Sequence, residues 1–80
     1  AEAPIRADYG PAITRLEELV RRYPDFERID AAAYTLGTLY ASNQRWADAA
    51  RQFELVAGRD SSRYQPEALF RLGDAYFELA

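Results

Sequence analysis

The side chains of this sequence that could take part in chemistry are carboxylates, hydroxyls, phenols and guanidinium groups, because its 80 residues include no His, Cys, Met or Lys. Zinc sites of the usual kinds, Ser/His/Asp or Cys/His nucleophile systems and disulfide frameworks cannot be built from them. Schiff-base chemistry and a P-loop lysine are excluded in the same way. Asp74 and Glu78, one helical turn apart, could hold a hard cation or act as an acid and base pair. Carboxylates at this spacing are common on solvated helices, so we expect neither a metal nor a catalytic site.

Composition and charge narrow the possible partners further. Apolar residues make up 49% of the chain and charged residues 29%, with a formal net charge of −3, a balance typical of one small folded domain. A nucleic-acid footprint needs a basic stripe, yet the only basic dipeptide is Arg21-Arg22. No apolar run approaches the roughly 20 residues of a membrane-spanning helix. We therefore expect neither nucleic-acid binding nor a membrane span.

The spacing of apolar residues predicts the elements that must position these side chains. Four stretches repeat apolar residues at i, i+3, i+4 and i+7, and none alternates with period two, so the chain is predicted to be all-α. The expected helices cover residues 9–22, a stretch from Asp25 or Asp30 to Ser42, residues 46–57 and residues 66–80. Pro24 should end the first helix, and Gly58 should close the third in a left-handed conformation. The short connection at 43–45 requires its two helices to be antiparallel.

Two landmarks recur along the chain. The segment Leu36-Gly37-Thr38-Leu39-Tyr40 is repeated 36 residues later as Leu72-Gly73-Asp74-Ala75-Tyr76. The pair Ala12 and Leu16 is repeated 37 residues later as Ala49 and Phe53. A period of this length is typical of stacked helical hairpins, so the sequence predicts an array of repeats rather than a closed bundle.

This combination resembles the tetratricopeptide repeat family, in which one helix carries Leu-Gly and Tyr and the next carries Ala and a large apolar residue. The matching residues of the central repeat are Leu36, Gly37, Tyr40, Trp46, Ala49 and Phe53. The resemblance implies an α-solenoid of antiparallel helix-turn-helix repeats with about four helices. It divides a single array fragment, 1–80, into the second helix of one repeat (9–24), one full repeat (25–60) and the first helix of the next (61–80).

Some positions depart from the family pattern. Ala33 stands where a bulky residue is expected and Ser61 where Pro is usual, and the period exceeds the family value of about 34 residues. The long period and the turn at Tyr23-Pro24-Asp25 resemble the repeats of bacterial envelope proteins, such as the Tol–Pal-associated periplasmic protein and outer-membrane assembly lipoproteins. The chain lacks an initial Met, and residues 1–4 are small and polar, like those that follow a signal-peptide cleavage site. These features favour a processed or excised piece of a periplasmic or cell-envelope protein.

Two glycines inside the predicted helices indicate close packing. A helical Gly costs about 1 kcal/mol relative to Ala, so Gly37 and Gly73 are each expected to mark a close approach of a neighbouring helix. The predicted packing stripe consists of Leu36, Tyr40, Leu72 and Tyr76. Gly37 and Ala49 are expected to leave room that Tyr40 and Phe53 can fill.

The resemblance places the binding surface on the inner face formed by the first helices of the repeats. The partner-binding residues that it implies are Tyr34, Thr38, Ala41, Phe70, Asp74 and Phe77. Aromatic anchors flanked by polar groups suit a peptide-binding groove. The basic residues with which some family members clamp an acidic tail are missing, and Glu67 and Glu78 make the last inner face acidic. We predict a non-enzymatic scaffold without a cofactor that binds an apolar or basic segment of a protein or peptide partner.

Alternative interpretations stay open. Phe70 and Phe77 could pack on helices of a longer array, because the last helix has no following partner in this sequence. The exposed terminal helices could also make the chain an oligomerisation or regulatory segment that self-associates. An enzyme would need its catalytic residues outside these 80.

Overall fold

A computed structural model describes residues 9–80, which form four α-helices and contain no strand. The helices are α1 (Gly10–Arg22), α2 (Ile29–Ser42), α3 (Trp46–Ala57) and α4 (Gln65–Leu79). The all-α prediction is confirmed for these residues. Residues 1–4, whose composition favoured an exported protein, lie outside the described residues.

Two of the four helices have a proline in their first turn, and none of the four has a side-chain hydrogen bond at its N-cap. Pro11 and Pro66 lie in the first turns of α1 and α4, where a missing N–H costs nothing because that amide has no partner within the helix. The prediction that Asp25 or Asp30 opens α2 is only partly right. Arg28 precedes α2 without a side-chain cap, and Asp30 lies inside the first turn, where its Oδ1 accepts the Ala31 amide at 2.8 Å.

The left-handed residue lies at a different turn from the one predicted. Gly58 closes α3 in a right-handed conformation, with φ −79° and ψ −2°, so that prediction was wrong. Gln44, between α2 and α3, has φ 61°. The Gln44 amide donates to the Ala41 carbonyl at 3.0 Å and the Arg45 amide to the Tyr40 carbonyl at 2.9 Å. These two bonds form a Schellman motif, which satisfies the last carbonyls of α2 and reverses the chain.

Each helix packs chiefly on its neighbours in sequence, α1 on α2, α2 on α3 and α3 on α4. The core therefore lies along the middle two helices. One cluster joins Ile13 of α1 to Leu36, Tyr40, Ala49 and Phe53. A second cluster joins Ala33, Val56 and Ala68, which links α2 and α3 to α4.

Gly37 marks a close approach between α2 and α3. A Cβ atom at Gly37 would lie 2.8 Å from Cε1 of Phe53, so the ring occupies the space that any larger residue would need. The predicted close packing at Gly37 is confirmed. The same prediction for Gly73 is wrong, because a Cβ atom there would meet nothing within 4 Å. α3 covers the face of α2 that contains Gly37. Within residues 9–80, no helix covers the equivalent face of α4.

The internal repeat also appears in the hydrogen bonds. The Tyr40 hydroxyl of α2 donates to Glu17 of α1, and the Tyr76 hydroxyl of α4 donates to Glu54 of α3. These tyrosines are 36 residues apart, and the two glutamates are 37 residues apart. The surroundings differ, because Tyr40 is buried whereas Tyr76 is 50% exposed. The predicted packing stripe is therefore complete on α2 and open on α4, where Leu72 is half-buried against the first cluster.

The environment of Tyr40 stabilises its neutral form. Burial, together with the hydrogen bond to the charged Glu17, raises the pKa of Tyr40 to about 12. The hydrogen bond to Glu54 likewise raises the pKa of the exposed Tyr76. Both phenols are therefore neutral hydrogen-bond donors to carboxylates at physiological pH.

We expect Gly37→Leu and Gly73→Leu to change stability in opposite directions. Leu at position 37 must displace the Phe53 ring, and overpacking of this kind costs about 1 to 3 kcal/mol. Leu at position 73 enters open space and should raise the free energy of unfolding by about 0.5 to 1 kcal/mol through its helix propensity. Urea unfolding at low protein concentration measures both. An unchanged midpoint for Gly37→Leu would contradict the packing described above.

Alkaline pH should unfold the protein partly through Tyr40. A folded-state pKa of about 12, against about 10 in the unfolded chain, means that the folded state holds this proton more tightly. The stabilisation is complete below pH 10 and is lost as the pH rises from 10 to 12. Tyr40→Phe should reduce the fall of the unfolding free energy across this window. Equal slopes for wild type and Tyr40→Phe would contradict the assignment, and Tyr76→Phe provides the control for a hydroxyl in the exposed pair.

Candidate partner-binding site

A cleft of about 310 Å³ lies between the C-terminal parts of α2 and α4, with α3 contributing to its wall. Its lining residues are Thr38, Ala41 and Ser42 of α2, Trp46 and Phe53 of α3, and Arg71, Asp74, Phe77 and Glu78 of α4. Three consecutive helices therefore build one concave surface. We name this surface the α2–α4 cleft.

Four of the six residues predicted to bind a partner line the α2–α4 cleft, namely Thr38, Ala41, Asp74 and Phe77. They come from two helices and from positions up to 39 residues apart in the sequence. The repeat period brings them together, because it gives α2 and α4 equivalent faces. Phe77 is the most exposed of the large apolar side chains in residues 9–80, at 79%.

The other two predicted residues lie outside the cleft lining. Tyr34 is half-buried, and its ring stacks on that of Tyr64 with centroids 5.3 Å apart and lies 5.9 Å from the Phe53 ring. Tyr34 is thus part of the packing between α2 and the start of α4. Phe70 is 67% exposed on α4.

Five lining residues were not among the predicted partner-binding residues, namely Ser42, Trp46, Phe53, Arg71 and Glu78. Glu78 had been placed on the acidic inner face, whereas the other four had not been assigned to that face. Arg71 lies three residues before Asp74, so it shares the helix face of Asp74 and could have been found from helical spacing. The α3 residues could not, because the family resemblance assigns second helices to the outer wall. Phe53 was already assigned to the core, where it is 1% exposed.

The hydroxyl groups of the cleft are available mainly as acceptors. Thr38 Oγ1 donates to the Tyr34 carbonyl at 2.8 Å, and Ser42 Oγ donates to the Thr38 carbonyl at 3.1 Å. Because each hydroxyl uses its only proton within α2, what it can offer a ligand is an oxygen lone pair. The carboxylates of Asp74 and Glu78 are acceptors as well.

The charges of the cleft are unpaired within the described part of the chain. Across residues 9–80, Arg71, Asp74 and Glu78 form no ion pair with another side chain. Two carboxylates against one guanidinium leave the cleft with an excess of negative charge. No group of three or more potential metal-ligating side chains occurs among the same residues.

Two contacts hold the segment at the start of α4 against α2. The Ser62 hydroxyl donates to Asp30 Oδ2 at 2.5 Å, and Tyr64 stacks on Tyr34. The hydrogen bond from Ser62 is the main reason why the pKa of Asp30 lies below its usual value. The same hydroxyl oxygen accepts the Tyr64 amide at 3.1 Å, which links the two contacts.

Comparisons with protein-family models, curated proteins and solved structures found no match to this chain. Within residues 9–80, no helix combines the length and the apolar character that crossing a membrane requires.

We expect Ser62→Ala to lower the free energy of unfolding by about 1 kcal/mol through loss of its hydrogen bond to Asp30. Because the folded-state pKa of Asp30 is lowered, this stabilisation exists above the unfolded-state pKa and is lost as the pH falls through the folded-state value. The difference between wild type and Ser62→Ala should therefore shrink in acid. Urea unfolding at neutral and acidic pH measures it. A constant difference would show that Asp30 is not the partner that matters.

Proposed function

We propose that this chain is a non-enzymatic protein-interaction scaffold of the tetratricopeptide type, and that it binds a partner segment in the α2–α4 cleft. The assignment to a repeat array is supported by the 36-residue recurrence of the Leu-Gly and Tyr positions. It is supported further by the equivalent Tyr40–Glu17 and Tyr76–Glu54 hydrogen bonds. The bacterial envelope setting is part of this proposal and rests on the resemblance alone.

The observation that carries the proposal is the chemistry of the cleft lining. Aromatic side chains of α3 and α4 lie beside hydroxyl and carboxylate oxygens of α2 and α4. Large aromatic residues are the usual anchors of interfaces, since they bury much apolar area at low entropic cost. The lining offers apolar contacts and hydrogen-bond acceptors side by side, so recognition of a partner segment is the function that it suits best.

The acceptor-rich lining favours a partner that brings donors. Thr38, Ser42, Asp74 and Glu78 offer oxygen atoms, whereas Arg71 is the one cationic side chain of the lining. A Lys or Arg of the partner would supply N–H donors to these oxygens and could also lie over an aromatic ring. A volume of about 310 Å³ is at the lower end of ligand pockets. The cleft therefore fits a pair of partner side chains, one apolar and one basic.

We expect Phe77→Ser to weaken partner binding at least tenfold, because it removes the exposed aromatic anchor of the cleft. The probes are two short peptides of equal length, one alternating Leu with Arg and the other alternating Leu with Glu. Trp46 is the single tryptophan of the chain and lines the cleft, so its fluorescence reports occupancy. Wild type should bind the Leu/Arg peptide in preference to the Leu/Glu peptide.

Phe70→Ser is the matched control, since it makes the same change on the same helix outside the cleft lining. It should change affinity less than about threefold, and Asp74→Asn should reduce the preference for the Arg peptide. Equal losses of peptide affinity for Phe77→Ser and Phe70→Ser would show that the binding site extends beyond the cleft over the wider inner face. A preference for the Leu/Glu peptide would overturn the proposal.

A further inference from the structure

The exposed apolar side chains are concentrated at the two ends of the helix order. Eight large hydrophobic residues in the described range are exposed, and α2 and α3 carry none of them. Leu69, Phe70, Tyr76, Phe77 and Leu79 lie on α4, Tyr9 precedes α1, and Tyr23 and Phe26 lie in the connection between α1 and α2. Apolar surface concentrated in this way marks an interaction site more often than scattered single residues do.

The open face of α4 is equivalent to a covered face of α2. A shift of 36 residues places Ala33, Leu36, Gly37 and Tyr40 of α2 on Leu69, Leu72, Gly73 and Tyr76 of α4. The four α2 residues are buried, in the clusters that include α3 residues or against Phe53 itself. Leu69 and Tyr76 are 54% and 50% exposed. α3 covers this face of α2, so a helix with an α3-like pattern is expected to cover the equivalent face of α4.

Within residues 9–80, Gly73 leaves an empty space that corresponds to the space filled by Phe53 at Gly37. At Gly37 the Phe53 ring occupies the space of the missing side chain, whereas nothing lies within 4 Å of the corresponding point at Gly73. A helical glycine costs about 1 kcal/mol relative to Ala. At Gly37 the packing of Phe53 accounts for the glycine, and at Gly73 no neighbour within the described chain does.

α1 carries the residue pattern with which α3 packs on α2. A shift of 37 residues places Ala49, Phe53 and Val56 of α3 on Ala12, Leu16 and Leu19 of α1. The three α3 residues are at most 1% exposed. On α1 the same pattern is only partly covered, since Ala12 is exposed, Leu19 is half-buried and Leu16 is half-buried against the first cluster.

We infer that a second copy of this chain covers the α4 face, with α1 of one copy packed on α4 of the next as α3 packs on α2. Leu16 of the incoming copy then takes at Gly73 the place that Phe53 takes at Gly37. Ala12 and Leu19 lie beside Tyr76 and Leu69. The contact joins two different surfaces, so each added copy again exposes one α1 face and one α4 face, and the assembly grows head to tail.

The charges of α1 and α4 favour contact between these two helices over a symmetric contact between two α4 helices. α1 carries three arginines and two glutamates, whereas α4 carries one arginine and three carboxylates. An antiparallel arrangement brings the last turn of α1, with Arg21 and Arg22, to the first turn of α4, with Glu67. Two α4 helices facing each other would instead place like charges together. Complementary rim charges speed association and make it sensitive to salt.

The proposed contact leaves the α2–α4 cleft open. Asp74, Phe77 and Glu78 line the cleft, whereas the docking face consists of Leu69, Leu72, Gly73 and Tyr76. A failure of self-association would therefore leave peptide binding untouched, and a failure of peptide binding would leave self-association untouched.

Sedimentation equilibrium of the 80-residue chain tests the inference. From about 1 µM to about 1 mM, the wild-type mass should rise from one protomer, 9.1 kDa, past two protomers, and added salt should reduce the rise. Gly73→Gln fills the empty space with a helix-forming polar residue, and Ala12→Arg places a charge on the α1 face. Each variant alone should stay monomeric while circular dichroism shows unchanged helix content. Ala47→Arg, the same change at an exposed position of α3, should associate like the wild type.

The decisive measurement is the equimolar mixture of Gly73→Gln and Ala12→Arg. Each retains the face that the other has lost, so the mixture should form a 1:1 dimer that grows no further. A wild type that stays monomeric to about 1 mM overturns the inference, as does association that both variants retain. If Ala12→Arg associates normally and the wild type stops at a dimer, the contact is a symmetric one between α4 helices and the head-to-tail inference is wrong.

Discussion

The contact between the Phe53 ring and the bare backbone at Gly37 is the constraint on which the rest of the structure depends. It sets how closely α3 lies on α2, and both core clusters form around that spacing. Because the ring also lines the α2–α4 cleft, the depth of the proposed binding site follows from the same contact. The glycine is tolerated inside a helix because the packing it permits offsets its poor helix propensity.

Around this contact the chain uses one arrangement twice. A tyrosine late in one helix donates to a glutamate of the preceding helix, first between α2 and α1 and then between α4 and α3. The first pair is shielded by the core and the second is exposed to solvent. The difference arises because α2 is packed on both sides and α4, within residues 9–80, on one side only. Equivalent sequence therefore gives equivalent geometry but unequal burial.

Helical spacing in the sequence was sufficient to predict the four helices, because it depends on residues close together on one helix face. The cost of a glycine inside a helix was sufficient to predict close packing at Gly37. The resemblance to the tetratricopeptide repeat family, and not helical spacing alone, placed Thr38, Ala41, Asp74 and Phe77 on a common surface. Prediction from the sequence failed where the outcome depends on which side chain of another helix lies nearby. Gly73 has the sequence context of Gly37 but no ring against it, and Tyr34 packs on Tyr64 instead of facing the cleft. The left-handed turn at Gln44 was missed because glycine, not glutamine, is the residue type that indicates it.

The Schellman turn that Gln44 completes has a consequence for how the chain folds. It joins α2 to α3 through only three residues, so the two helices that carry most of the core meet after a very short loop closure, which costs little entropy. The tyrosine and glutamate pairs, which join each of α2 and α4 to the preceding helix, span only 23 and 22 residues. Chains dominated by local contacts fold quickly. We expect the α2–α3 hairpin to form first and to serve as the surface on which α1 and α4 are then ordered from either side.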